Sequence, residues 1–189
     1  HNGGFRLAET VRHLAQQEVH PDIRWEFILV DNGCTDNSVS VAEAVWTAYE
    51  PLAEFRVVKQ PILGLSHARA KGFEEAQYEF MIMCDDDNWL ASDYVAKVYE
   101  IMSANTSIGA LGGFGALKFE VTPPEWIERS GIFAAGAQAN TSGPVITKKL
   151  YGAGCVIKKS AYKKLKEFGF RSLLVDRKGT SLSSGGDHE

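Results

Sequence analysis

A chain of 189 residues, 44% apolar and 23% charged, is long enough to bury one hydrophobic core and too apolar for disorder. Its net charge of −4 excludes a phosphate-tracking nucleic-acid binder, which needs a basic face, and no apolar run approaches the ~18 residues of a membrane-spanning helix. Three cysteines, Cys34, Cys84 and Cys155, are odd in number, far apart and without a CxxC pair, which argues against a disulfide framework or zinc site and suits a reducing cytoplasm.

Apolar runs alternate with amphipathic ones, the pattern of βαβ units in an α/β fold with a mostly parallel central sheet flanked by helices. Trp25–Val30 predicts a strand that ends at Asp31. Val41, Val45, Ala48, Tyr49 and Leu52 recur at helical spacing behind the capping candidates Thr35, Asp36 and Ser38. Phe55–Val58 predicts a second strand, Gly64 a turn, and residues 66–76 a short helix. Phe80–Cys84 is a continuous apolar run, as in a strand covered on both faces, and it leads directly into Asp85, Asp86 and Asp87.

Ser92 is the N-cap candidate for a helix whose apolar face holds Val95, Val98, Tyr99 and Met102. Residues 108–113 predict a further strand, and 114–147 read as irregular loops around a site. Tyr151–Ile157 returns to strand character, Ser160–Lys166 is a short helix, and 171–186 is a polar Gly/Ser-rich tail. The lysines at 148–149, 158–159 and 163–166 read as a solvated helix face and its flanks, with an anionic membrane or substrate surface as the second reading. The chain opens at His1 without a methionine and stops at Glu189 beside a candidate motif. Residues 1–189 therefore read as a single domain cut at both ends.

Three adjacent carboxylates repel one another, and a hard divalent cation relieves that repulsion. Mg²⁺ or Mn²⁺ takes one or two carboxylates and completes its shell with water and substrate phosphates. Alternation along an extended chain puts Asp85 and Asp87 on one side and Asp86 on the other. Ligands of open α/β sheets sit beyond the carboxyl ends of strands, where these acids are expected; the alternative is that they cap the next helix or lie in a solvated turn. Asp31 ends the other apolar run; it reads equally as an acceptor for a base N–H or ribose hydroxyl and as part of an Asp-Asn-Gly turn. Arg69, within Gly64–Gly72, reads alone as a surface arginine; its guanidinium also forks onto paired oxygens, suited to a diphosphate or to the acids. Ser183–Glu189 places small residues before Asp187, which reads either as a close backbone approach to a ligand with the carboxylate as general base, or as a flexible loop with Asp187 as a helix cap.

Taken in order, His1-Asn2, Val30–Gly33, Gly64–Gly72, Asp85-x-Asp87 and Gly186-Asp187-x-Glu189 resemble family 2 glycosyltransferases. The resemblance implies a GT-A, Rossmann-like fold and an inverting transferase that moves a sugar from a nucleoside-diphosphate sugar, UDP- or dTDP-linked, to an acceptor hydroxyl. It implies that Asp31 contacts the base, Arg69 lies beside the donor, Asp85 faces the ribose with Asp86 in the same donor site, Asp87 binds the Mg²⁺ or Mn²⁺, and Asp187 is the catalytic base. Residues 1–113 would form the nucleotide-sugar half and 114–189 the acceptor half. A saccharide or lipid-linked acceptor, a role in bacterial polysaccharide or glycoconjugate synthesis, and a cytoplasmic place, peripheral to the inner face of the membrane, follow as expectations. Asn32 stands where the family usually has a second Asp, Cys34 for Ser, Ala70 for Asn and Gly186 for Glu. The competing readings are a sugar-nucleotide nucleotidyltransferase, which normally opens with a Gly- and Arg-rich loop not seen here, and a non-catalytic nucleotide-sugar-binding domain. Trp89 and Trp126 read as packing residues, with sugar stacking second.

Overall fold

In the computed structural model the described residues are 1–130, 133, 135–144, 150–172, 177–178 and 181–182. The first element, helix α1 (Gly4–Ala15), was not anticipated from the sequence. Leu7, Val11 and Leu14 recur along one of its faces and are buried. Gly3 at its N-cap gives no side-chain capping bond, so the usual Ser/Thr/Asp start signal is missing. Strand β1 (Glu26–Asp31) forms as expected. Helix α2 (Ser38–Tyr49) forms where expected but turns a different face inward: Ala42 and Trp46 are buried, whereas Ala48 and Tyr49 are exposed and Leu52 lies beyond the helix; Glu50, in left-handed conformation with φ of 47°, closes α2. Then come β2 (Glu54–Lys59), α3 (Leu65–Glu75), β3 (Phe80–Ile82), α4 (Tyr94–Ala104) and β4 (Ala110–Leu111).

The remaining described elements are α5 (Glu125–Ser130), β5 (Val156–Lys158), α6 (Lys159–Glu167) and the short β6 (Arg177–Lys178) and β7 (Ser181–Leu182). Helix α5 lies inside the stretch expected to be irregular, and the strand expected over Tyr151–Ile157 is confined to Val156–Lys158. Asp93, not Ser92, precedes α4.

β1 pairs with β2 in parallel, Glu26 opposite Glu54 through Asp31 opposite Lys59. Alternation along β1 sends Phe27 and Leu29 toward α1 and α2, where they join Leu7, Val11, Leu14, Ala42, Trp46 and Leu90. Trp46 packs tilted against Phe27 and Phe55, which stack on each other at 4.9 Å. Val30 faces the other way, onto α3, where a side-chain carbon at Gly72 would lie 3.5 Å from Val30 Cγ2. Helices therefore cover both faces of the parallel pair. Arg56 of β2 spans the pair, donating to Glu26 Oε2 at 2.7 and 3.1 Å and to the Glu75 carbonyl at 2.9 Å.

β5 runs antiparallel to β3 and β4 and lies between them, over a core of Val98, Met102 and Val156. The parallel pairing expected across most of the sheet is thus seen at β1–β2, while the second group of strands is antiparallel. Among the described residues no strand pairing joins β1 to β3. A cleft of about 1370 Å³ separates them, with both strands on its walls. No helix among the described residues is long and apolar enough to cross a membrane.

Candidate functional site

The cleft brings together the acid that ends β1 and the three acids that follow β3, a strand that stops at Ile82 instead of running through Cys84 into Asp85 as expected. Asp31, Asn32, Arg69, Asp85, Asp86 and Asp87 all line it, together with Gly64 and Leu65 at the start of α3. Five of the six site positions read from the sequence are therefore neighbours in space, although they come from three separate segments. The sixth, Asp187, lies outside the described residues, as do Gly186, His188 and Glu189.

At the β1 end the chain turns on its own side chains. Asp31 Oδ1 accepts from the Cys34 N–H at 2.8 Å, and Gly33 takes φ of 70°, which an L side chain rarely adopts. Asn32 is buried and fully used: its amide nitrogen donates to the carbonyls of Gln60 at 2.9 Å and Ile62 at 2.7 Å, and its oxygen accepts from Gly64 N–H at 2.8 Å. The amide thus fixes the start of α3, and with it Arg69, against the end of β1. Asn2 holds the following loop, accepting from Thr35 N–H at 2.8 Å and donating to Thr35 Oγ1 at 3.1 Å.

At the β3 end the acids are held from a distance. Arg69 Nη2 lies 3.9 Å from Asp85 Oδ1. Arg6 of α1 places Nη2 3.1 Å from Asp86 Oδ1 and Nη1 3.4 Å from Asp87 Oδ2. The turn itself closes through Asn88, whose Oδ1 accepts from Asp85 N–H at 3.1 Å and whose amide nitrogen is 3.3 Å from Asp87 Oδ1. Asp86 packs over the start of α1 so closely that a side-chain carbon at Gly3 would lie 2.0 Å from its Oδ2. Burial and the three carboxylates push the thiol of Cys84, just before them, up to about 12. That thiol stays protonated and serves as a weak donor to the Asn88 carbonyl at 3.6 Å.

Arg6 belongs to a stripe that the sequence pattern did not bring out. Arg6, Thr10 and His13 recur on one flank of α1, and Gln17 comes just past its end. Thr10 Oγ1 donates to the Asp86 carbonyl at 2.9 Å, His13 Nδ1 is 3.1 Å from the Leu90 carbonyl, and Gln17 bonds the Ala91 carbonyl at 2.7 Å and the Val95 N–H at 3.0 Å. One helix therefore holds the acid loop along its length. The polar spacing of four, three and four beside an apolar stripe was the available signal. Trp89 stacks on His13 with ring centroids 5.5 Å apart, and neither it nor Trp126 lines the cleft.

Among the described residues, no three His, Cys, Asp or Glu side chains converge as a ready-made metal cage. The donors present are nevertheless suited to a hard divalent ion. Asp85 and Asp87 have 38% and 54% of their side-chain surface exposed at the cleft, so one or two carboxylates are available while substrate phosphates and water supply the rest of a shell.

A family model described as glycosyl transferase family 2 matches residues 1–165. The cholesterol galactosyltransferase of Borreliella burgdorferi is 32% identical over 104 residues, which is 54% of this chain and 28% of that protein. A mannosyltransferase from Pyrobaculum calidifontis, solved in complex with GDP-Man and Mn²⁺, superposes with a TM-score of 0.61 at 20% identity, covering 88% of this chain and 43% of that one. Residues 1–349 of S. aureus TarS in complex with UDP-GlcNAc give a TM-score of 0.65 at 16% identity, covering 89% and 45%. The fold is thus the GT-A fold, α/β with a parallel sheet pair flanked by helices. The chain spans less than half the length of each of these three relatives.

Proposed function

The chain belongs to glycosyl transferase family 2, and on that premise we propose that it moves a sugar from a nucleoside-diphosphate sugar to an acceptor hydroxyl, with inversion at the anomeric carbon. The observation that carries this reading is the meeting of Asp31, Arg69 and Asp85–Asp87 on the walls of one cleft. In this reading Asp31 accepts from the base or ribose. Asp85, braced by Arg69, and Asp86 form the acidic floor beneath the donor. Asp87 and Asp85 are the residues that would hold Mg²⁺ or Mn²⁺. When bound, such an ion offsets charge developing on the departing diphosphate.

Asp187 accepts the proton of the acceptor hydroxyl as its oxygen attacks the anomeric carbon; the bond to the nucleoside diphosphate breaks on the opposite face. Arg69 stabilises the leaving oxygens with a fixed fork of N–H groups. Residues 1–113 form the donor half and 114–189 the acceptor half. The ligands of the two solved neighbours, UDP-GlcNAc and GDP-Man, support a nucleotide-sugar donor and set the test panel. Cholesterol, the lipid in the Borreliella burgdorferi relative's name, supports the lipid side of the reading; the acceptor we propose is a saccharide or lipid-linked hydroxyl compound. We place the protein in the cytoplasm, peripheral to the inner face of the membrane, in polysaccharide or glycoconjugate synthesis.

The experiment is a panel of UDP-, dTDP- and GDP-sugars with Mn²⁺, scored for released nucleoside diphosphate. Asp187→Asn is run alongside at saturating donor. It is expected to bind donor normally and lose transfer by roughly 10²–10⁴-fold, the usual loss on removing a general base. Wild-type turnover in that variant would move the base to another residue, and no release from any donor would refute transferase activity.

A further inference from the structure

The three acids are not equivalent in how they are held. Asp86 is anchored: its carboxylate meets Arg6 at 3.1 and 3.2 Å, its carbonyl accepts from Thr10, and it packs against Gly3, where no side chain fits. Asp87 is loosely held. It is more exposed, and its two side-chain contacts are long, 3.4 Å to Arg6 and 3.3 Å to Asn88. Arg6 joins the two acids by one nitrogen each, and it enters from outside the cleft, whose walls it does not line. Arg69, by contrast, lines the cleft and lies nearest Asp85.

We propose that Arg6 is a positioning residue that acts as the resident counter-ion of the acid loop: anchored through Asp86, it lends its second nitrogen to Asp87 and competes with a divalent cation for that carboxylate. The inference rests on reading Asp87 as the metal-binding acid. It is drawn from charge and geometry. A guanidinium beside Asp87 satisfies the oxygen that a cation would take, and its positive charge repels an incoming divalent ion. The contact is partly exposed and long, so it yields readily. Arg6 thereby holds the loop in place without metal while weakening capture of metal alone.

The test is direct Mn²⁺ binding by the whole protein without nucleotide, measured by calorimetry or by the electron paramagnetic resonance of free Mn²⁺. Arg6→Gln is expected to bind Mn²⁺ about three- to tenfold more tightly than wild type. Arg6→Lys, which keeps the charge, is expected to stay within about twofold of it. A purely structural role for Arg6 would instead weaken or leave unchanged the affinity of the glutamine variant. Because losing Arg6 also strands the carboxylate of Asp86, the comparison is repeated between Asp86→Asn and Asp86→Asn/Arg6→Gln, which is expected to give the same tightening. Unchanged or weaker affinity in both backgrounds overturns the proposal. Asp87→Asn separates the two levels. If it abolishes Mn²⁺ binding while Arg6→Gln has no effect, only the counter-ion role fails; if wild type binds no Mn²⁺, or Asp87→Asn binds it normally, the reading of Asp87 fails and this inference with it.

Discussion

β1 and β3 both deliver acids to the rim of one cleft, yet they hold them by opposite means. At the β1 end the side chains are held by hydrogen bonds without a cationic partner: Asp31 caps the Cys34 N–H, and Asn32 bonds two carbonyls and one N–H. Among the described residues Asp31 makes no ion pair. At the β3 end the carboxylates face guanidinium groups from α1 and α3, 80 and 16 residues away in sequence for the pairs Arg6–Asp86 and Arg69–Asp85. A rim built from hydrogen bonds to the backbone keeps its shape whatever binds. A rim built from exposed ion pairs exchanges partners at little cost, because such pairs are weak. The first suits recognition of a base, the second the arrival and departure of a cation and a diphosphate.

The largest break in this contrast comes from making the β1 end ionic. Asn32→Asp places a carboxylate oxygen against the carbonyls of Gln60 and Ile62 and removes both donors to them. The expected loss is about 2–4 kcal/mol of folding stability at pH 7, from two unpaired buried acceptors and a desolvated charge. Protonation restores one donor, so the deficit should shrink toward pH 4. Chemical denaturation at the two pH values is the check; a stability equal to wild type at pH 7 would mean the amide is not the clamp described.

A smaller effect sharpens the same contrast at Asp31. Asp31→Asn keeps an oxygen for the Cys34 N–H but removes the charge. If Asp31 serves only the turn, nucleotide affinity stays at the wild-type value. The expectation is about tenfold weaker UDP binding, the loss of one charge-assisted hydrogen bond, with Mn²⁺ affinity unchanged. A fall in Mn²⁺ affinity instead would show that the two rims are not separable.

How much of this was legible in the sequence depends on the range of the interaction. The acids near the strand ends are visible because an apolar run such as Phe80–Cys84 pushes the next polar residues out past the strand, although β3 itself stops at Ile82. Helix α4 is legible from apolar spacing, since Val95, Val98 and Met102 are the residues it buries, whereas for α2 the spacing finds the helix but misses its buried face of Ala42 and Trp46. Helix α1 has the same spacing in Leu7, Val11 and Leu14, but its glycine start carries no capping signal. Helix α5 is six residues long and comes directly after Pro123-Pro124, too short for periodicity to register. That β5 runs antiparallel to β3 is written in no residue pattern, since both polarities show the same alternation. Asn32 reads in sequence as a departure from the family's acid; its worth lies in two carbonyls 28 and 30 residues on. Arg6 is one arginine on a surface helix until the fold brings it to the acids.

The smallest predicted effect concerns the bond that joins the two rims. Asp36, in the loop after β1, accepts from Gly4 N–H at 3.1 Å, so it ties that loop to the start of α1, the helix that holds the β3 acids. The Ser38 hydroxyl at 2.5 Å, with the N–H groups of Gly4 and Ser38, holds its carboxyl below the ordinary value of 3.8. A carboxyl depressed in the folded state binds its proton more readily when unfolded. Its stabilising contribution is therefore complete above 3.8 and is lost as pH falls through the lowered folded value. Asp36→Asn keeps an acceptor for Gly4 but has no charge to lose. The variant should be modestly less stable than wild type at pH 7, with the gap closing below pH ~3.8 as the wild-type carboxylate protonates. Urea midpoints at pH 7, 4.5 and 3 measure it. A gap that stays constant down to pH 3 would mean that the Asp36 charge contributes nothing, and that the join between the rims rests on hydrogen bonding alone.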